Sequence, residues 1–356
     1  MNSQSEGPSR AVTRADVARL AGVSTAVVSY VVNSGPKRVA PQTAARVREA
    51  ISLLGYRPNV SARALRTGTT HMLGFVVSDS SNPYFAELAL AIEFAAAEQG
   101  YVVLMANSQA DPENERRLVE QLVGRGVDGL LVGSVLPYPG WPAGLRRQVP
   151  VVWVDRSVPV PGWASLGADS AQGARLAVDH LTEVHGHTSI GLVMGQDAFA
   201  DTDRREQGWA EALRDHGLPE GPIARVPFSR EGGYVGGGRL LDARVRPEAI
   251  FATSDLQAVG LLRAAHERGI RVPGDLAVVS FDGTQESEYC WPTLTAAKQP
   301  VREMAIASVA TVLGGASGGG VGPPPGHQRF AMELALRRSC GCGPAPPEHP
   351  PAKGPP

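Results

Sequence analysis

Apolar residues recur at two different spacings along the chain. Between residues 12 and 54 they lie three and four positions apart, which predicts amphipathic helices. From residue 71 onward, short runs rich in valine, isoleucine and leucine alternate with helical stretches. Apolar strands that alternate with helices are typical of a parallel sheet covered on both faces. The pattern therefore predicts a small all-α module followed by a doubly wound α/β region.

The first two predicted helices are short and meet at a glycine. Thr13 caps the first helix, with Asp16 as its capping-box partner, and this helix ends near Gly22. Ser24 caps the second helix, and Pro41 opens a third. The inward positions of the three helices are Val17, Leu20, Ala21, Val28, Val31, Val32, Ala45, Val47, Ile51 and Leu54. We expect them to form one small core.

A helix, a tight turn with glycine and a second helix are the arrangement of a helix-turn-helix motif. In that motif the second helix enters the major groove of DNA. Its outward residues, which would reach base edges or phosphates, are Thr25, Ala26, Ser29 and Tyr30. A helical hairpin inside an ordinary core shows the same local pattern, so the motif alone leaves both interpretations open.

The two regions also differ in charge. Residues 1–70 contain ten Lys and Arg against three Asp and Glu, a net charge of +7, whereas residues 71–356 contain 24 against 32, a net charge of −8. A basic module of this size indicates a polyanionic partner. After the third helix, Asn59 would cap a short basic helix that carries Leu65 and ends at Gly68.

Three consecutive stretches, DVARLAGVSTAVVSYVVN, GYRPN and SARALRTG, resemble the lactose-repressor/galactose-repressor family of bacterial transcription regulators. The resemblance implies a DNA-binding headpiece over residues 12–58, then a hinge helix and linker over 59–70. Leu65 would be a wedge that kinks operator DNA, although a leucine packed on its own domain is the plainer alternative. Tyr30 and Ala40 depart from the family pattern, so it stays open which operator bases the protein reads. The implied DNA contacts are Thr13, Ser24, Thr25, Ala26, Ser29, Tyr30, Asn33, Asn59, Ala62, Arg63, Leu65 and Arg66.

The α/β region contains two similar sets of elements, which predict two halves around a cleft. The predicted strands are 71–79, 101–106, 127–135 and 149–156 in the first set, and 189–195, 223–228, 249–255 and 276–283 in the second. The predicted helices are 84–99, 112–125, 202–217, 231–244 and 255–269. Ligands of open parallel sheets bind beyond the carboxyl ends of the strands. We expect a surface loop at 314–326, and disorder over 1–11 and in the proline-rich residues 341–356.

SNPYFAEL, DRREQGW, SFDGT and LTAAKQP resemble the family's effector domain, which is related to periplasmic sugar-binding proteins. The resemblance implies an N-terminal subdomain of residues 71–168 and 299–327 and a C-terminal subdomain of residues 169–298 and 328–340. The implied effector contacts are Asp79, Tyr84, Asp155, Arg205, Phe228, Ser254 and Asp282. A guanidinium and a carboxylate fix vicinal hydroxyls and an aromatic ring covers a sugar face, but a purine fits nearly as well. The plainer alternatives are helix caps at Asp79, Asp155 and Asp255 and a core position for Phe228.

Neither a metal nor a cofactor is expected. The three cysteines are Cys290, Cys340 and Cys342, and the spacing of the last two suits neither a zinc ribbon nor an ordinary disulfide. HGH at 185–187 is typical of a loop before a strand. GGYVGGGRLL at 232–241 lacks a phosphate-binding pattern, so we expect a loop that leads into a helix. Because no catalytic constellation stands out, the chain is not expected to be an enzyme.

The sequence therefore predicts a cytoplasmic, homodimeric transcription regulator of repressor type. Its first residues lack the apolar core of a signal peptide, and no apolar run reaches the roughly 20 residues of a membrane helix. The expected partners are near-palindromic double-stranded operator DNA and a small-molecule effector, a sugar or sugar derivative. A purine- or nucleoside-responsive corepressor system and a sugar-binding protein without a regulatory role are the alternatives. The sign of the effector's action stays open.

Overall fold

The structure is a computed structural model that describes residues 12–32, 38–57, 68–134, 141, 143–196, 203–316 and 322–343. These residues fall into two compact units, which meet in the sequence between Thr70 and His71. The first unit is helical, and the second is built on two mostly parallel sheets with helices around them. This is the predicted fold class.

The first unit contains the three predicted helices. They are α1 (Arg14–Ala21), α2 (Thr25–Val32) and α3 (Pro41–Leu54). Gly22 has the left-handed φ of +62°, and this turn lets the N–H of Val23 donate to the carbonyl of Ala18 at 3.0 Å. Among the described helices, none alone is long and apolar enough to cross a membrane; α1 and α2 pass that test only together, with a bend of 103° between them.

The core of the first unit differs from its predicted stripe at two positions. Leu20 is 53% exposed, and its place is taken by Ala18. Ala45 is exposed, and Ala44 is buried instead. Both errors have one cause, because three short helices bury only a narrow face of each and apolar residues flank that face on both sides. The residues of the observed core are Val17, Ala18, Ala21, Val28, Val47, Ala50 and Tyr56.

The second unit begins with a six-stranded parallel sheet. Its strands are β1 (Met72–Val77), β2 (Val102–Asn107), β3 (Gly129–Gly133), β4 (Val151–Val154), β5 (Ala164–Ala168) and β11 (Gly326–Phe330). They lie in the order β11-β5-β4-β3-β1-β2. The helices α4 (Pro83–Glu98), α5 (Pro112–Gly124) and α11 (Val301–Ala316) pack beside it. Because β1, β3 and β4 are buried on both faces, their sequences are apolar throughout.

A second six-stranded sheet repeats this plan. Its strands are β6 (Ile190–Met194), β7 (Ile223–Arg225), β8 (Ala249–Ala252), β9 (Ala277–Asp282), β10 (Thr295–Lys298) and β12 (Glu333–Ala335). They lie in the order β12-β10-β9-β8-β6-β7, and β12 is antiparallel to β10. The helices of this half are α6 (Ser170–Asp179), α7 (Arg204–Asp215), α8 (Arg230–Leu241), α9 (Asp255–Glu267) and α10 (Gln285–Tyr289). A π-helical turn, His180–Val184, continues α6.

The predicted helix 231–244 is confirmed as α8, and the glycine-rich stretch 232–241, which was expected to be a loop that leads into a helix, lies inside that helix. The reason is close helix packing. A Cβ added at Gly233 would lie 2.0 Å from the carbonyl oxygen of Gln257 in α9, and one added at Gly260 would lie 1.9 Å from the carbonyl oxygen of Arg230. The glycines therefore let α8 and α9 approach each other at backbone distance.

The chain passes between the two sheets three times, after β5, after β10 and after β11. The structure differs from expectation near the last passage in two ways. Residues 314–316, expected in a loop, form the last turn of α11. β11 pairs with β5 as far as Phe330, three residues beyond the residue 327 at which the predicted N-terminal subdomain ends. Parallel pairing with an interior strand holds these residues in the first sheet.

Candidate functional site

The predicted DNA-reading helix α2 has its N-terminus on the surface. Ser24 caps it, because the Ser24 hydroxyl accepts from the N–H of Val27 at 3.4 Å. Ser24, Thr25 and Ala26 are exposed, whereas Ser29 and Tyr30 are half-buried. An exposed N-terminal turn is the part of a recognition helix that approaches base edges. The predicted contacts Asn33, Asn59, Ala62, Arg63, Leu65 and Arg66 lie outside the described residues.

Thr13 fixes the start of α1. The Asp16 carboxylate accepts from the backbone N–H of Thr13 at 2.9 Å and from its hydroxyl at 2.6 Å. Asp16 also pairs with Arg19 at 2.7 Å. The residue that was predicted to touch DNA is thus first of all a helix cap, which orients the helix that packs under α2.

In the second unit, Tyr84 and Asp155 come together from the first half. Asn82 caps α4 by accepting from the N–H of Tyr84, and the Tyr84 hydroxyl donates to Asp155 Oδ1 at 2.7 Å. Asp155 directly follows β4 and has a φ of +61°. Burial raises the pKa of Asp155 to about 6, although the Tyr84 hydrogen bond and the charge of Arg205 both lower it.

Arg205 is the centre of the second half of the site. Asp203 caps α7 and accepts from Arg205 Nε at 2.8 Å and Nη2 at 2.7 Å, while Nη1 donates to the carbonyl of Thr253 at 2.8 Å. The guanidinium lies 4.9 Å from the ring centre of Phe228 and 5.1 Å from that of Phe281. Burial alone would raise the pKa of Asp203, but the charge and hydrogen bonds of Arg205 more than offset it and leave that pKa lowered. The guanidinium is therefore held by Asp203 along one edge, by the carbonyl of Thr253 at Nη1 and by two neighbouring aromatic rings.

Asp282 ends β9 on the same side of the cleft, with a φ of +99°. Its Oδ1 accepts from Gln299 Nε2 at 2.9 Å, and its Oδ2 lies 3.4 Å from the N–H of Asp255. Burial and the negative charge of Asp255 raise the pKa of Asp282 well above its ordinary value, against the lowering effect of Arg205. The carboxyl keeps acceptor capacity toward the cleft.

Two other predicted contacts have local structural roles. Ser254 caps α9 by accepting from the N–H of Gln257 at 3.2 Å. Asp79 accepts from the N–H of Ser81 at 2.9 Å and from its hydroxyl at 2.7 Å, which is a turn typical of aspartate. Asp255, considered as a cap, is instead a buried bridge to Ser280 and Thr284.

Sequence reasoning missed Asp203, Phe281 and Gln299. A signal for Asp203 existed, because an aspartate directly before a helix is a preferred N-cap and faces the first turn, where Arg205 lies. For Phe281 the sequence pattern predicts only a core position in a buried strand. The role of Gln299 depends on the passage of the chain after β10, which apolar periodicity does not reveal.

The two halves of the site face each other. The charges of Arg205 and Asp155, which belong to opposite halves, each shift the pKa of the other, and Asp282 also influences Tyr84. Beside Asp282 a cavity of about 650 Å³ opens, with Glu87 of the first half and Lys298 of the second among its lining residues. Of the seven predicted effector contacts, only Asp282 is among the described residues that line this cavity. Arg205, Asp155 and Tyr84 are linked to it through their electrostatic interaction with Asp282.

Known proteins are similar to this chain in sequence. The family model of bacterial regulatory proteins, lacI family, matches residues 13–59, and that of the periplasmic binding protein-like domain matches residues 178–340. The transcriptional regulator DegA of Bacillus subtilis (strain 168) is 34% identical over 295 residues, which cover 81% of this chain and 87% of DegA. The transcriptional repressor PurR of Actinobacillus pleuropneumoniae serotype 3 (strain JL03) is 32% identical over 333 residues, 91% of this chain and 97% of PurR.

Solved structures agree in fold. The Lac repressor dimer bound to operator and the anti-inducer ONPF superposes with a TM-score of 0.82 at 28% identity, covering 93% of this chain and 99% of that one. The complex of the transcriptional regulator CelR with cellobiose gives a TM-score of 0.68 at 29% identity, covering 92% and 99%. With a regulator's helix-turn-helix unit and a two-halved ligand-binding unit in one chain, this protein belongs to the lacI family of bacterial regulatory proteins and is a transcriptional regulator.

Proposed function

We propose that this regulator binds a near-palindromic operator as a homodimer and that a sugar or sugar derivative in the cleft controls the binding. The observation that carries the proposal is the fixed Arg205 guanidinium between Asp203 and the aromatic rings, opposite Asp155. We infer that the cleft binds its ligand without converting it, because the relatives are named as regulators. Binding to the chromosome places its action in the bacterial cytoplasm.

The chemistry of the cleft favours a ligand with several hydroxyls. A guanidinium carries five N–H donors, and the contacts with Asp203 and Thr253 use three of those on Arg205. The remaining donors and the carboxyls of Asp155 and Asp282 suit hydroxyl groups, which both donate and accept. Cellobiose and ribose are bound in two of the similar structures. A purine is the second candidate, because the half-buried Phe228 ring can stack on a base as well as on a sugar face.

The dimer is supported by an apolar surface on the first half. Leu90 and Phe94 on α4 are 53% and 66% exposed, and Val102 and Met105 on the edge strand β2 are 60% and 48% exposed. Contiguous exposed apolar residues of this kind mark protein–protein contacts. The Lac repressor of the similar structure is a dimer bound to operator. Two headpieces joined through this surface would meet the two half-sites of a palindrome.

The effector acts by favouring one relative position of the two halves. Each passage of the chain between the sheets is a place where the halves can rotate, and a ligand that contacts both Asp155 and Arg205 binds one position better than the other. We propose that this rotation is transmitted to the segment 59–67, which forms a hinge helix on DNA. Leu65 then inserts as a wedge, and Arg63 and Arg66 contact phosphates.

A titration of the full-length protein against the upstream DNA of its own gene tests this function. Fluorescence anisotropy would be recorded at fixed salt with and without a panel of sugars and nucleobases, and a scrambled duplex of equal length is the control. Release by one sugar establishes an inducer, and tighter binding with one compound establishes a corepressor. If no compound changes the affinity for DNA that the protein does bind, control by a sugar or purine is wrong.

The hinge proposal has its own test. Leu65→Ala should weaken binding to the operator by about 10-fold or more while binding to scrambled DNA changes little, because only the kinked operator complex uses the wedge. Leu53→Ala is the matched control, since Leu53 is a 71% exposed leucine on α3. An equal loss on both duplexes would count against the wedge.

A further inference from the structure

Four side chains that are far apart in sequence meet at the C-terminal end of the second unit. They are His180, His185, Cys340 and Cys342, here named the histidine–cysteine cluster. One ligand atom from each lies within 4.8 Å of the other three. The sequence argued against a metal here, because the spacing of Cys340 and Cys342 suits neither a zinc ribbon nor a disulfide. Residues 341–356 were also expected to be disordered, but the structure describes residues 341–343, and Cys342 contacts both histidines. The structure supplies the partner pair.

The local backbone brings each pair to one point. His180 and His185 are the first residue of the π-helical turn and the residue that follows it, and a turn that closes over five residues places both imidazoles on one face. Their Nε2 atoms are 3.1 Å apart. Between the cysteines, Gly341 has a φ of +104°, and a Cβ there would lie 3.3 Å from Cε1 of His185. A glycine at this position therefore lets both sulfurs turn toward the histidines.

Four of the six distances between the ligand atoms are close to those of a tetrahedral site. With Zn–N of about 2.0–2.1 Å and Zn–S of about 2.3 Å, tetrahedral ligands lie about 3.4 Å apart for two nitrogens and about 3.6 Å apart for nitrogen and sulfur. His180 Nε2 lies 3.3 Å from Cys340 Sγ and 3.5 Å from Cys342 Sγ. His185 Nε2 lies 3.4 Å from Cys342 Sγ. Two thiolates and two imidazoles are the ligand set of closed, structural zinc sites.

A buried second layer supports the cluster. The Thr295 hydroxyl accepts from the backbone N–H of Arg337 at 2.8 Å and lies 3.0 Å from Cys340 Sγ, so its own proton is free to point at that sulfur. The N–H of Cys342 also points at Cys340 Sγ, at 3.5 Å. Donors aimed at a sulfur stabilise the thiolate, which is the form that binds metal. Cys340 is 2% exposed and Thr295 is fully buried.

We propose that the histidine–cysteine cluster binds one Zn²⁺ ion, which fastens the C-terminal segment, residues 336–343, to the end of α6. The segment is already held by Ser339, which donates to the carbonyl of Val278 at 2.6 Å and accepts from the N–H of Thr295 at 2.8 Å. A metal would cross-link residues 180–185 to residues 340–342 and so close the chain between them into a loop, which restricts the unfolded chain. With four protein ligands the ion has a structural role.

The metal content of the full chain, purified without a histidine tag, tests the site. We expect one Zn²⁺ per chain by inductively coupled plasma mass spectrometry. After Zn²⁺ is replaced by Co²⁺, we expect the visible absorption bands of tetrahedral, thiolate-ligated Co²⁺. His185→Ala should lose the metal. The matched control His187→Ala should keep it, because His187 lies in the same loop and stacks on His185 but is outside the cluster.

Two more variants separate a metal site from a folding defect. His185→Cys should still bind Zn²⁺, with stronger sulfur-to-cobalt bands, because it replaces one zinc ligand by another. Cys290→Ser should bind normally, since the Cys290 thiol contacts the carbonyls of Ser287 and Pro292 instead. A chelator should lower the Tm of the wild type by at least about 5 °C and leave that of His185→Ala unchanged.

Three results would overturn the proposal. Wild-type protein from zinc-supplemented cells that neither contains Zn²⁺ nor takes up Co²⁺ has no site. Equal metal content in His185→Ala and His187→Ala would place the ion elsewhere. A Cys340–Cys342 disulfide in protein prepared under reducing conditions would assign the cysteines to another chemistry.

Discussion

The two halves of the effector domain share one strand order, yet they present different groups to the cleft. The first half contributes Tyr84 and Asp155, a carboxyl whose pKa of about 6 lets its charge change near neutral pH. The second contributes Arg205, whose charge is permanent and locked by Asp203. The halves also end differently, since β11 is parallel to its neighbour and β12 is antiparallel. A repeated fold thus provides a cleft with two different sides. The side from the second half carries the fixed charge of Arg205, and the side from the first half carries Asp155, which titrates.

Removing the fixed charge should have the largest effect. Arg205→Ala should weaken effector binding by about 100-fold, because the ligand loses charged hydrogen bonds and Asp203 and Asp282 lose their cation. Operator binding without effector should stay within about 3-fold of wild type. Isothermal titration with the effector found in the DNA titration, and anisotropy on operator DNA, measure the two quantities.

Arg204→Ala is the matched control for this variant. Arg204 lies next to Arg205 on α7 but contacts Gln207 on the helix surface. It should leave the effector response unchanged. A normal response from Arg205→Ala would mean that the side with the fixed charge is not where the ligand binds, and the assignment of different roles to the two halves would fail.

The side of the cleft that titrates should give an intermediate, pH-dependent effect. The pKa of Asp155 is raised from 3.8 to about 6 in the folded protein. Below about pH 4 this carboxyl therefore does not change the free energy of unfolding, because it is protonated in both states. Between about pH 4 and about pH 6 it lowers that free energy increasingly, and above about pH 6 the full destabilisation is present. Asp155→Asn should therefore raise the Tm by about 2–5 °C at pH 8 and by nothing at pH 4. Thermal denaturation across this range measures it.

Effector affinity should depend on pH in the opposite direction from stability. Below about pH 6 the protonated Asp155 loses acceptor capacity, so the wild type should bind its effector more weakly as the pH falls through 6. The Asn variant should bind weakly with no such pH dependence. A Tm difference that is the same at pH 4 and pH 8 would show that Asp155 does not titrate in this range.

The contact between the halves should contribute least. The Glu87 carboxylate on α4 accepts from the N–H of Gln285, the first residue of α10, at 2.8 Å. Glu87→Ala should make the closed arrangement of the two halves less favourable by about 1 kcal/mol. This loss should appear as a few-fold weaker binding of the effector. Glu93→Ala, an exposed glutamate on the same helix, is the control. Identical affinities for the two variants would mean that this hydrogen bond does not favour the closed arrangement.

Local signals in the sequence were enough for the headpiece and for most of the sheets. Gly22 and Pro41 mark their helix boundaries, and those boundaries are confirmed, because caps act within one turn. β5, with the sequence ASLGA, was missed because small residues carry little apolar signal. β12 and α11 were missed because their position depends on where the chain passes between sheets.

The effector cleft was predictable only by resemblance. Arg205 and Asp282 were named from family phrases, and their contacts with Asp203 and Gln299 come from chain segments that no spacing rule connects. The histidine–cysteine cluster shows the same limit more strongly. A histidine pair five residues apart and a Cys-Gly-Cys stretch each look ordinary, and only the fold brings them together across some 155 residues.

Asp155 and Asp282 both hold left-handed backbone conformations that a glycine would adopt with less strain, at φ values of +61° and +99°. Each costs on the order of 1 kcal/mol. In a laboratory evolution experiment that selects for heat resistance alone, these two codons should drift toward glycine or asparagine early, and the surviving variants should fold better and sense nothing. Lineages that are also required to switch a reporter gene should keep both aspartates and gain their heat resistance elsewhere.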